Sequence, residues 1–281
     1  MTFQLGLIGY PIQHSLSPWI HQGFLTKANL EGTYSIMEIS SDDSFEAELD
    51  NLKQKGLSGF NVTLPFKKRI IPFLDGMDHH AESIGAVNTV VVQNGKWIGY
   101  NTDGLGYFTA LKNKYPELCA DPDIPILIIG AGGAARGIYY SLITNGFSHV
   151  DIANRTRDNA KSIADLNNTS GSSAVLNLSE AEDCIRHYDL IIQTSSIGMK
   201  PNEERVIVSA EGVKPSSVVS DIIYQPIETT FLKQAKQAGA HIHYGHSMLL
   251  YQAQAAFQLW TNKLVAVGEM DQQLQTILEG R

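Results

Sequence analysis

Cysteine is almost absent: Cys119 and Cys184 are the only two in 281 residues. They stand at no disulfide or metal-binding spacing, which argues against a stapled extracellular scaffold and fits a reducing compartment. No apolar run approaches the roughly 18 residues that cross a membrane. The first residues do not read as a signal peptide, because Pro11 and His14 interrupt what would be its apolar core. A cytoplasmic location without a membrane partner is therefore expected. A basic stripe is also lacking. Lys and Arg number 21 against 29 Asp and Glu, for a net charge of −8, so nucleic acid is not an expected partner. Internal repeats and low-complexity segments are missing, which argues against solenoids and long disordered linkers.

What remains is an ordinary globular composition, 43% hydrophobic and 18% charged, long enough for about two domains. Apolar runs and helical patterns alternate. The first half reads as strands at 4–8, 34–39 and 59–63 with helices at 18–30 and 43–55. Short helical pieces follow near 66–73 and 78–83. A hairpin joins 87–92 to 97–100 across the turn Gln93-Asn94-Gly95-Lys96, and a helix runs over 104–115. The Pro-rich stretch 116–125 then breaks the pattern. Beyond it, Ile126–Ile129 is a fully apolar run bounded by Pro and Gly, as expected of a buried parallel strand. A helix to about 144, strands at 149–153, 190–193 and 218–222, and helices at 248–262 and 270–278 complete the reading. Such a β-α-β-α-β series implies a parallel sheet with helices on both faces.

The strand at 126–129 runs directly into Gly130-Ala131-Gly132-Gly133-Ala134-Ala135-Arg136. Between a buried strand and a helix, this G-x-G-x-x-A pattern is a dinucleotide fingerprint. Its glycines let the backbone approach a pyrophosphate, and the helix N-terminus stabilises the anion. The alternative is a tight turn that binds nothing. At the next strand end the chain offers Asn154-Arg155-Thr156-Arg157, with no carboxylate for a ribose 2′-hydroxyl. A guanidinium there pairs with a 2′-phosphate, so NADP is expected over NAD.

Four polar clusters in the first half fall at strand ends and loops: 9–18 around Ser15 and Ser17, 61–67 around Thr63 and Lys67, 85–89 around Asn88, and Asn101-Thr-Asp103-Gly104. Singly, each has a structural explanation. Ser17 before Pro18 reads as a helix cap, Asp103 as a cap for the following helix, and Lys67 as solvated surface. A further grouping, His241-x-His243-x-x-His246, lacks a carboxylate or cysteine partner at convincing spacing, so no metal is expected.

Taken together and in order, these clusters resemble the shikimate dehydrogenase family over nearly the whole chain. Thr194-Ser-x-x-Gly-Met199, Asp221-x-x-Tyr224-x-Pro226 and Met248-Leu-x-x-Gln252 extend the match. The resemblance implies an α/β protein of two domains, a Rossmann-type dinucleotide-binding domain and an α/β substrate domain completed by the C-terminal helices. Residues 1–103 with 241–281 would bind substrate and 104–240 would bind NADP. It also implies NADP-dependent interconversion of 3-dehydroshikimate and shikimate, with Lys67 and Asp103 as the catalytic pair. Ser15 and Ser17 would hold the substrate carboxylate, and Thr63, Asn88, Asp103, Tyr224 and Gln252 its hydroxyls. Gly130, Ala131, Gly132, Gly133, Ala134, Asn154, Arg155, Thr156 and Gly245 would meet the cofactor. A monomer or homodimer is expected.

The chain departs from the family pattern at three places. Asn159 stands where strongly NADP-selective members often carry arginine, so Arg157 or Lys161 would have to substitute. Gln193 replaces a frequent Asn, and Gly245-His-Ser precedes Met248. Two alternatives stay open at this point, an NAD-using quinate/shikimate dehydrogenase and a non-catalytic binding protein that keeps the fold.

Overall fold

The computed structural model describes residues 2–40, 42–167 and 171–280. They form two compact units: residues up to 102 with 252–270, and residues 103–251 with 271 onward.

In the first unit the elements are β1 (Phe3–Gly9), α1 (Ser17–Lys27), β2 (Gly32–Glu38), α2 (Phe45–Gln54), β3 (Gly59–Val62), β4 (Gly76–Met77), α3 (His79–Ile84), β5 (Thr89–Gln93) and β6 (Lys96–Tyr100). Their sheet runs β2-β1-β3-β5-β6-β4. The β1–β2, β1–β3 and β4–β6 pairs are parallel, and β5 is antiparallel to both β3 and β6. Local chemistry sets the helix ends. Ser44 caps α2 by accepting from the Ala47 N–H, and Asp78 caps α3 in the same way. The apolar faces bury Ile8, Phe60, Val62, Phe66 and Ile70, each contributing about 1.5–3 kcal/mol. From the C-terminal segment, the Trp260 indole donates to the Val90 carbonyl at 2.9 Å, and Lys27 Nζ donates to the Val267 carbonyl at 2.7 Å.

The second unit contains α4 (Asp103–Lys114), β7 (Ile126–Ile129), α5 (Gly133–Thr144), β8 (Val150–Ala153), α6 (Arg157–Ala164), β9 (Val175–Leu176), α7 (Leu178–Cys184), β10 (Leu190–Gln193), β11 (Val218–Asp221), α8 (Thr230–Gln237) and β12 (His241–His243). Helix α9 (Gly245–Thr261) starts in this unit and passes to the other at Gln252, and α10 (Met270–Glu279) closes the chain. The sheet order is β12-β11-β10-β7-β8-β9, with every pair parallel. Numbered within this unit, that is the doubly wound order 3-2-1-4-5-6. Its inner strands read as continuous apolar runs because both faces are covered; Ile126–Ile129 are all 0% exposed.

Most long elements match the sequence expectation to within a few residues. Of the short ones, α3 falls where a helical piece was expected, whereas α6 and α7 were not expected. Helix α6 is only eight residues long and buries only Ala160 and Ile163, so its apolar face is short. Helix α7 depends on a capping box between Asn177 and Glu180. Ser17 is not the cap foreseen for it. It is the first helical residue, Leu16 takes the cap position, and no side chain caps the helix. Among the described residues no helix is long and apolar enough to cross a membrane.

Candidate active site

In the first unit the polar clusters lie at the carboxyl ends of β1, β3 and β6 and at the amino end of the antiparallel β5. The loop after β1 is held by Glu38, whose carboxylate accepts from the Ile12 N–H at 2.8 Å and from the Gln13 amide at 3.1 Å. Those two donors hold the Glu38 carboxyl below its ordinary range. Ser15 Oγ accepts from the Ser17 N–H at 3.2 Å, which orders the two hydroxyls within one turn. Thr63 follows β3, its N–H bonded to the Ile8 carbonyl. Lys67 stands four residues on, its carbonyl accepting from the Val87 N–H at 2.8 Å, so its backbone is tied to the segment that leads through Asn88 into β5.

A buried hydrogen-bond network lies beneath these loops. Tyr34 on β2 donates to Asn61 Oδ1 at 2.8 Å. The Asn61 amide donates to the Asn88 carbonyl and to Thr89 Oγ1, both at 3.1 Å. Asn88 Oδ1 accepts from the Thr89 hydroxyl and from the Thr102 N–H at 2.8 Å, and its amide reaches Thr102 Oγ1 and Gln252 Oε1. The Asn88 side chain is thereby bonded both to the residue preceding Asp103 and to Gln252. His21, fully buried, stacks on the Tyr34 ring at 4.3 Å between centroids. Burial holds its pKa down to about 3, against a nearby Asn61, so it is a neutral packing group.

In the second unit Asp103 opens α4 and is 5% exposed. The glycine turn joins β7 to α5. Gly130 has φ +113, and a Cβ there would lie 2.5 Å from Thr194 Oγ1; no other residue type fits without strain. Gly132 and Gly133 face open space, and no side chain caps the N-terminus of α5. Backbone N–H groups at a bare helix end, beside room for atoms, suit a pyrophosphate. At the next strand end Asn154 Nδ2 donates to the Thr156 carbonyl and shapes the turn. Arg155 is exposed and has no ion-pair partner among the described residues. The two suggested substitutes for the missing arginine are engaged elsewhere: Arg157 pairs with Glu180 at 3.2 Å and Lys161 with Asp165 at 2.8 Å. Arg155 is thus the cation suited to a 2′-phosphate, and the residues present fit NADP.

Tyr224 lies in the loop after β11. Gly245 is buried, and a Cβ there would meet the Ile222 and Ile223 backbone at 2.5 Å, so close packing requires glycine. The histidine grouping does not converge. His241 is exposed, His243 is bonded to Ser220 and Ser247, and His246 faces Asp271 at 3.4 Å. Sequence reasoning did not single out Tyr34, Glu38, Thr89 or Thr102 for a role. Asn61, Asp221 and Gln193 were visible inside motifs but had no assigned site role.

A parallel sheet in this order, with an open glycine turn at the head of its first helix, defines a Rossmann-type dinucleotide-binding protein carrying a second α/β unit. The description "Shikimate dehydrogenase substrate binding domain" matches residues 7–90, "Shikimate / quinate 5-dehydrogenase" matches 120–222, and "Shikimate 5'-dehydrogenase C-terminal domain" matches 245–275. The chain belongs to the shikimate dehydrogenase family. It is 52% identical over 281 residues, 100% of both chains, to a shikimate dehydrogenase (NADP(+)) of Oceanobacillus iheyensis. The shikimate 5-dehydrogenase of Thermus thermophilus, solved in complex with NADP(H) and shikimate, is similar at TM-score 0.86 and 30% identity, over 98% of this chain and 99% of that one. A quinate dehydrogenase from Corynebacterium glutamicum, solved in complex with NAD, aligns at TM-score 0.89 and 28% identity over 98% and 99%.

Proposed function

We propose that this protein catalyses the reversible NADP-dependent reduction of 3-dehydroshikimate to shikimate, with Lys67 and Asp103 as its catalytic pair. The observation that carries the reading is the full-length identity of 52% with an NADP-dependent shikimate dehydrogenase. The bare α5 terminus and exposed Arg155 support the cofactor, and the absence of a carboxylate at the Asn154–Thr156 turn weighs against the NAD alternative.

When bound, NADP supplies or accepts the hydride. The residues of the chain handle everything else. Hydride arriving at the C3 carbon leaves negative charge on the C3 oxygen, which needs a proton and a nearby cation. The Lys67 and Asp103 pair supplies both, with the Lys67 ammonium as the cation and the Asp103 carboxylate orienting the reacting hydroxyl. Ser15 and Ser17 donate to the substrate carboxylate. Thr63, Asn88, Tyr224 and Gln252 bind the ring hydroxyls, and a ring held at several points has little freedom left to lose at the barrier. Gly130 to Ala134 and Gly245 border the cofactor, and Asn154, Arg155 and Thr156 meet its adenosine phosphate.

In this reading residues 1–103 with 241–281 form the substrate domain and 104–240 the cofactor domain, with Tyr224 and Gly245 each serving the other domain's ligand; the compact units instead change over within α9 and return residues 271 onward to the second unit. The protein acts in aromatic amino-acid biosynthesis in the cytoplasm, as a monomer or homodimer, without a nucleic-acid or membrane partner. The test is turnover of shikimate with NADP⁺ and NAD⁺ offered in turn. Fast reduction with NADP⁺ alone is expected. Reduction mainly with NAD⁺ overturns the cofactor assignment, and none with either overturns the activity. Lys67→Ala is expected to lower turnover by about 10²–10⁴-fold with little change in folding.

A further inference from the structure

Asp221 ends β11 with its side chain wholly buried at 0% exposure, and the mechanism above does not use it. Both of its oxygens are occupied. Oδ1 accepts from the Ile223 N–H at 2.9 Å and from the Gln193 amide at 3.2 Å; Oδ2 accepts from the Thr229 hydroxyl at 2.7 Å. Ile223 and Thr229 bracket Tyr224, so one carboxyl group grips the 222–229 loop at both ends. Gln193 extends the grip to a second loop. Its amide also donates to the Ile197 carbonyl, and its carbonyl accepts from the Ser195 N–H. The backbone adds one further link, from the Lys200 N–H to the Gln225 carbonyl at 3.3 Å.

We propose that Asp221 is a positioning residue that sets the 194–199 and 222–229 loops together through a single carboxyl group, linking its protonation to ligand binding. That these loops meet cofactor and substrate rests on the function proposed above; their coupling through Asp221 does not.

The three donors explain why the group tolerates burial in either protonation state. Thr229 is a hydroxyl and reverses its role, accepting from a protonated Oδ2, whereas the Ile223 and Gln193 N–H groups donate to Oδ1 in both states. No other charge offsets it among the described residues. Neighbouring Glu228 is turned to Lys236 and Tyr244, and His243 is held by Ser220 and Ser247. Burial pushes the carboxyl up to about 7, against the three hydrogen bonds. The closed arrangement therefore binds the proton more tightly than any arrangement that hydrates Asp221. Raising the pH through about 7 favours parted loops, and lowering it favours closed ones.

Amide hydrogen exchange of the ligand-free full chain tests the coupling, corrected for intrinsic rates, at about pH 6 and about pH 8.5. Protection of both loops should fall together as pH rises. Asp221→Asn, a permanently neutral isostere, should keep both loops protected and remove the pH dependence. Asp221→Ala should accelerate exchange in both by about tenfold or more. Should the alanine variant fail to fold, the wild-type and asparagine series decide the matter. Exchange that changes in one loop alone, in neither, or equally with pH in Asp221→Asn overturns the proposal. NADP⁺ binding by calorimetry gives the second readout: affinity should weaken with rising pH in the wild type and stay flat in Asp221→Asn, and equal slopes count against the linkage. Coupled exchange without shikimate turnover refutes the activity and leaves the coupling standing; turnover without coupled exchange does the reverse.

Discussion

Tyr34→Phe removes one oxygen atom from the base of the buried network and leaves the rest of the side chain in place. The ring keeps its stack on His21, so packing is almost conserved and the loss falls on the phenol's polar contacts, Asn61 first and Ser17 beside it. Asn61 Oδ1, in a residue 6% exposed, then loses its 2.8 Å phenol donor. A buried acceptor left unsatisfied costs about 1–3 kcal/mol. For a chain of this length each kcal/mol lowers Tm by about 3 °C, so a drop of roughly 3–9 °C is expected in calorimetry. The freed Asn61 amide also loses its reason to point its nitrogen at the Asn88 carbonyl and Thr89. Because Asn88 is tied to Thr102 and Gln252, KM for shikimate should rise several-fold while KM for NADP⁺ stays level. A double-mutant cycle with Asn61→Ala isolates the bond, with a coupling of about 1 kcal/mol or more expected. An unchanged Tm, or additive single effects, would refute the reasoning.

Arg155→Ala should raise KM for NADP⁺ by about tenfold or more and leave NAD⁺ unaffected, since a charge-assisted hydrogen bond to phosphate is worth about 1.5–3 kcal/mol; steady-state kinetics with both cofactors decide this, and equal losses would deny Arg155 the phosphate. Gly130→Ala places a methyl at φ +113 and 2.5 Å from Thr194 Oγ1. It should cost at least about 1–3 kcal/mol in denaturant unfolding and weaken NADP⁺ binding. Asp221 makes stability pH-dependent with a definite sign. Its folded pKa of about 7 lies above the ordinary 3.8, so folding holds the proton and stability falls as pH climbs between those values. Full ionisation costs up to about 4 kcal/mol at ~1.36 kcal/mol per unit. Asp221→Asn should be the more stable protein near pH 8 and lose that advantage near pH 4; a constant difference would show that the carboxyl does not titrate there.

The long elements of the fold were legible because their signals are local. Ile126–Ile129 reads as a buried strand from composition alone, and the glycine pattern after it announces the turn and helix. The short helices α6 and α7 gave no such signal, because each buries one or two apolar residues and depends on caps and neighbours. In the candidate site, residues inside ordered motifs were identifiable, whereas Tyr34 and Glu38 sit in ordinary strand positions and acquire a role only from what β1 and β3 bring beside them.

Sequence alone determined the two-part α/β architecture, the dinucleotide turn, the family, and the residue types available for catalysis. These follow from periodicity, glycine stereochemistry and motif order along the chain. Only the tertiary structure decided which guanidinium remains available at the cofactor turn, since Arg157 is claimed by a carboxylate 23 residues away. It alone decided that Asn61 stands under Asn88, that Glu38 holds the serine loop, and that one buried carboxyl at Asp221 ties two loops together. Hydrogen bonds between residues distant in sequence depend on strand order and register, and no local pattern in the chain encodes them.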